Sequence, residues 1–183
     1  SEKHNKIDKS FNRMNIFFAN SGDDLLYSLR GKCKYEMDYY KDAIKDFNKA
    51  IEINSSYAQD FFYRAECKYQ VEDYDGSLYD INKSLQIAPK KNYALDLRVH
   101  IKFEIEDHQG AIEDLDELIV NNPNTDKYYE MRGVCKLNLK QYTGAIEDFN
   151  KAIEINPENE ESLNLRKQCI QKLDNISDSL IKS

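Results

Sequence analysis

Arg30-Gly31-Lys32-Cys33-Lys34-Tyr35 returns as Arg64-Ala65-Glu66-Cys67-Lys68-Tyr69 and again as Arg132-Gly133-Val134-Cys135-Lys136-Leu137. Between the last two stands a weaker copy, Arg98-Val99-His100-Ile101-Lys102-Phe103, so that Arg30, Arg64, Arg98 and Arg132 follow one another at a constant step of 34 residues. A second segment keeps the same register. Ala43-Ile44-Lys45-Asp46-Phe47-Asn48-Lys49-Ala50-Ile51 lines up with Ala145-Ile146-Glu147-Asp148-Phe149-Asn150-Lys151-Ala152-Ile153, three periods on. A period of this length marks stacked supersecondary units, none of which can bury its apolar face alone.

In period and in pattern, residues 24–159 resemble the tetratricopeptide repeat family. With units starting at 24, 58, 92 and 126, the family's small residue of the first helix falls at Gly31, Ala65, Val99 and Gly133, and that of the second at Ala43, Ser77, Ala111 and Ala145. Two antiparallel helices approach closely only where side chains are short, and Phe47, Ile81, Leu115 and Phe149 are placed to fill the space opposite. The loop aromatic is Tyr40, Tyr74 and Tyr142, with His108 in the third unit. Pro89, Pro123 and Pro157 end the second helices because proline cannot continue them, and Ser55 takes that place in the first unit.

The resemblance implies an all-α fold, a right-handed α-α superhelix of four helical hairpins, with repeats over 24–57, 58–91, 92–125 and 126–159. Leu163, Arg166, Cys169, Ile170 and Leu173 repeat the first-helix register without a second helix to follow, which predicts a C-terminal capping helix over 160–175 and a fraying tail over 176–183. Ile7, Phe11, Met14 and Phe18 share one helical face, which predicts an N-terminal helix within 1–23 that caps the first hairpin.

Composition excludes several functions. The net charge of −7 in 183 residues argues against nucleic acid and against an anionic membrane surface, whose binding draws on clustered Lys and Arg. There is no run of about 18 apolar residues to cross a bilayer, nor a charged-then-apolar leader. The four Cys lack the close spacing of zinc or redox sites, so the expected setting is reducing and cytoplasmic. Cys33, Cys67, Cys135 and Cys169 share one repeat position and read as buried packing residues, too far apart for disulfides. His4, His100 and His108 are scattered, and no phosphate loop or nucleophile motif occurs, so neither metal, cofactor nor catalysis is expected.

Each repeat Arg is followed sixteen residues on by an acid, at Asp46, Asp80, Asp114 and Asp148. The spacing predicts an Arg–Asp pair bridging the two helices of every hairpin. Lys34, Lys68, Lys102 and Lys136 stand where the family favours a core Tyr, and the expectation is that their stems pack while their ammonium groups reach water.

In the family, positions two, five, six, nine, twelve and thirteen of each first helix face a concave surface. Carried onto this sequence, those positions give an apolar and aromatic groove of Leu25, Leu29, Tyr35, Phe62, Tyr63, Tyr69, Tyr93, Leu97, Phe103, Met131 and Leu137. Lys32, Glu66, Asp96, Glu104, Lys127 and Glu130 set its polarity. About half of the apolar set is expected to pack between hairpins instead. Family members that hold chaperone C-termini use a two-carboxylate clamp of Lys, Asn and Arg; here those positions carry Leu25, Leu29, Tyr63, Tyr93 and Leu97, so an acidic chaperone tail is not the expected ligand. The leading expectation is a scaffold that binds a partner peptide or helix in the groove. The alternatives are a small chaperone for an apolar client segment and a self-associating structural module, a homo-oligomer.

Overall fold

The computed structural model describes residues 23–89 and 91–181, and the chain divides into two compact units between Pro89 and Lys90. The expected N-terminal helix over Ile7, Phe11, Met14 and Phe18 lies outside the described residues. Those residues are all-α. The first unit contains α1 (Asp24–Tyr35), α2 (Tyr40–Ile53), α3 (Ala58–Gln70) and α4 (Tyr74–Ile87). The second contains α5 (Asn92–Glu104), α6 (His108–Asn121), α7 (Asp126–Asn138), α8 (Tyr142–Ile155) and α9 (Glu160–Ile181). Within each unit consecutive helices pair as hairpins, and each first helix starts 34 residues after the last, with α9 continuing that register. No helix among the described residues is long and apolar enough to cross a membrane.

The turns inside the hairpins share one geometry. Asp38, Glu72, Glu106 and Lys140 adopt left-handed backbone, with φ of 62°, 63°, 59° and 60°. The following N–H then reaches back five residues: Tyr39 to the Lys34 carbonyl at 2.9 Å, Asp73 to Lys68 at 2.9 Å, Asp107 to Lys102 at 2.8 Å and Gln141 to Lys136 at 2.8 Å. This is the Schellman closure, which satisfies carbonyls that the end of a helix would otherwise leave open. The next helix starts at once. Asp73 and Asp107 cap α4 and α6 by accepting from the Gly76 and Gly110 N–H groups at 3.0 Å.

Packing between paired helices is set by complementary sizes. Phe47, Ile81, Leu115 and Phe149 are wholly buried, as are Ala65 and, within a per cent, Val99. A Cβ on Gly31 would meet the Phe47 ring at 3.0 Å, and one on Gly133 would meet the Phe149 ring at 2.7 Å, so only glycine lets the largest filler in. Ala65 stands with Ile81 and Val99 with Leu115 at the equivalent positions. Successive hairpins are then stitched by the repeat cysteine. Cys67 packs with Ala43 and Phe47, and Cys169 with Ala145 and Phe149.

Two expectations change. The capping helix runs to Ile181 rather than stopping at 175, because no Pro or Gly follows Pro157 to end it. Cys33 is only half-buried, unlike Cys67, Cys135 and Cys169. All four thiols are free, and burial pushes the pKa of Cys67 up to about 12 and of Cys135 up to about 11. Alkylation needs a thiol that the reagent can reach, so the half-buried Cys33 is expected to react with iodoacetamide in the native protein well before the other three, which need denaturant. Mass spectrometry of the alkylated peptides reads the order directly.

Candidate functional site

The ion pairs lie between the two helices of each hairpin. Arg30 donates to Asp46 through Nε at 2.8 Å and NH2 at 2.5 Å, Arg64 to Asp80 at 2.7 and 2.5 Å, and Arg98 to Asp114 at 2.9 and 2.5 Å. Arg132 holds Asp148 in the same way, at 3.0 and 2.5 Å. The expected Arg–Asp bridges are therefore present in all four hairpins.

The repeat lysines depart from expectation. Their side chains are 13–20% exposed, and their ammonium groups are not left to water alone. Lys34, Lys68, Lys102 and Lys136 instead close on the second carboxylate oxygen of the same acids at 2.7–2.8 Å. Lys68 and Lys102 also donate to the carbonyls of Gly76 and Gly110, at 3.3 and 2.9 Å. An interior lysine needs compensation for lost hydration, and a carboxylate plus a helix carbonyl supplies it. Each acid thus serves two cations, with its side chain no more than 5% exposed. Arg132 also reaches Asp116 at 2.6 Å, and Arg64 reaches Asn48 at 2.8 Å, tying hairpin to hairpin within each unit. Burial works to lower the Arg132 pKa, but the bonds to Asp148 and Asp116 outweigh it and hold the guanidinium charged.

This interior network is structural; the accessible surface lies on the other side of the first helices. In the first unit a cavity of about 210 Å³ is lined by Leu25, Ser28, Leu29, Lys32, Gln59, Asp60 and Tyr63. In the second unit one of about 210 Å³ is lined by His100, Phe103, Glu104, Lys127, Glu130, Met131, Val134 and Glu161. Both are formed chiefly by positions two, five, six and nine of first helices. In the second unit polar contacts join neighbouring first helices: Tyr128 donates to Asp96 at 3.2 Å and Ser162 to Glu130 at 3.2 Å. Ser28 and Asp60 occupy the corresponding positions in the first unit. Burial raises the pKa of both Asp60 and Asp96.

The eleven apolar residues expected in the groove separate into classes, and Leu137 packs on the core cluster of Ala145, Phe149 and Cys169. Leu25, Leu29 and Tyr63 line the first cavity, and Leu25 and Leu29 are 57% and 52% exposed. Phe103 and Met131 line the second. Tyr35 and Tyr69 lean on the turn aromatics Tyr40 and Tyr74, with ring centres 6.1 and 5.7 Å apart, and Phe103 does the same with His108 at 5.4 Å. Phe62 sits edge-on to Tyr63 at 5.4 Å, and Tyr93 is 41% exposed. Leu97 is a correction: it is only 6% exposed and belongs to the core of α5 beside Ala94, Leu95, Val99 and Ile101. Sequence reasoning missed Ser28, Gln59, His100 and Val134, which hold groove positions without being the large apolar residues sought there. It also missed Asp60, at position three, and Glu161, which extending the register into the cap finds at position two. No three His, Cys, Asp or Glu side chains among the described residues group so as to hold a metal.

Family models described as tetratricopeptide repeat match residues 26–57 and 127–159. These two stretches are tetratricopeptide repeats. The fold of the chain is that of solved members of the family. A tetratricopeptide protein called YrrB, described as having an unusual peptide-binding site, superposes with a TM-score of 0.78 at 17% identity, over 90% of this chain and 84% of that one. MamA superposes with a TM-score of 0.77 at 14% identity, over 87% of this chain and 88% of that one. The first tetratricopeptide domain of Spaghetti (RPAP3), bound to the HSP90 peptide SRMEEVD, gives 0.59 at 21% identity over 66% of this chain and 96% of that one. A search of curated protein sequences gave no significant match. Tetratricopeptide repeats generally mediate protein–protein interactions.

Proposed function

We propose that the chain is a non-catalytic scaffold, its repeats divided at 24, 58, 92 and 126, which takes a partner polypeptide onto the face formed by its first helices. The observation that carries this reading is the recurrence of a cavity at the same repeat positions in both units, with two leucines more than half exposed at the first. Exposed leucines grouped around a concavity are covered by a partner more often than left in water. Peptide-binding neighbours of the same fold support it. Free, largely buried cysteines accord with a reducing, cytoplasmic setting.

A photo-crosslinking amino acid placed at Leu29 or at Met131 is expected to capture the partner in cells. The same group at Val120, 80% exposed on α6, is the comparison. Capture from Val120 and not from Leu29 or Met131 sinks the reading, and capture of a second copy of the chain replaces it with self-association.

A further inference from the structure

The arginines of α5 and α7, and their lysines other than Lys127, are turned away from the groove. Arg98 and Lys102 are bonded to Asp114, and Arg132 and Lys136 to Asp148, all between the helices of their hairpins. What remains beside the apolar floor of Phe103, Met131 and Val134 is weighted the other way. Glu104, Glu130 and Glu161 line the cavity with one ammonium, Lys127, which the buried Glu130 already holds. Asp96 stands close enough to the lining residue His100 for the charge of one to act on the other. Of the cations on α5 and α7, Lys127 alone joins the lining.

We propose that the second unit's groove selects a polypeptide segment in which a large apolar side chain is flanked by Lys or Arg. This rests on the groove reading above and names the chemistry of its occupant. The apolar side chain covers Phe103 and Met131, and the cation faces Glu161 and Glu104, the exposed acids of the lining, at the cavity's rim, where solvent screens it less than on an open surface. An acidic segment meets repulsion at the same place. The preference is thus opposite in sign to that of a carboxylate clamp.

The test is selection of a random-peptide display library on the intact chain, with the enriched peptides synthesised and titrated. The expected result is enrichment of sequences with Lys or Arg next to a large apolar residue, their binding weakened roughly three- to tenfold by Glu161→Lys. Binding should be lost in Met131→Asp and unchanged in Val120→Lys. Peptides that are lost in Met131→Asp yet indifferent to Glu161→Lys, or enriched peptides that are acidic, would overturn the charge selection and leave the groove standing. Peptides indifferent to both variants, or no enrichment at all, would overturn the selection and the groove together. Glu161 lies at the start of α9, so its variant reports even where Met131→Asp perturbs folding.

Discussion

Replacing Asp80 by alanine is expected to lower the stability of the chain by about 3–5 kcal/mol, the cost of removing one partner from a buried ion pair. Asp80 is fully buried and receives Arg64 and Lys68, which are themselves 13% and 17% exposed. Deleting the carboxylate leaves two largely buried cations without a counter-charge. The measurement is urea unfolding followed by helical circular dichroism. Asp116→Ala is the control: Asp116 also bonds an arginine, Arg132, but its side chain is 56% exposed. Its loss should cost under about 1 kcal/mol, as for surface pairs. Similar costs for the two would mean that the interior acids act as ordinary surface partners.

The second large effect is at Phe149, where truncation to alanine should cost about 3–5 kcal/mol through lost burial and the cavity left behind. The informative experiment is the paired one. Gly133→Ala places a Cβ where the Phe149 ring now lies and should cost about 1–3 kcal/mol as overpacking. Gly133→Ala with Phe149→Ile recreates the Ala65–Ile81 combination of the second hairpin, and should recover most of that loss. If the double variant is no better than the sum of its parts, the size matching seen across the four hairpins is not what sets their stability.

The repeat, the hairpins and the Arg–Asp bridges were legible because they depend only on spacing. A step of 34 fixes the register, and an acid sixteen residues beyond each arginine recurs without exception. The lysine ammonium groups were not legible in the same way. Their destination is a carboxylate already assigned to arginine and, for two of them, a glycine carbonyl that side-chain spacing does not reveal. The groove was half legible. Leu29 and Leu97 occupy the same repeat position, yet one is 52% exposed and the other 6%, so register alone does not fix depth. The acidic bias of the second cavity emerged only once the structure showed which cations are held elsewhere.

The four left-handed turn residues have a consequence of a different kind. Asp38, Glu72, Glu106 and Lys140 adopt one backbone conformation while differing in length and in sign of charge. The closure is made by main-chain bonds back to Lys34, Lys68, Lys102 and Lys136, and needs no charge from the side chain at the turn. Each hairpin therefore carries an outward position whose charge can drift from one sign to the other while the path of the backbone stays as it is. Sequences that diverge at these four places can keep one architecture while presenting quite different electrostatic faces to whatever lies beyond the turns.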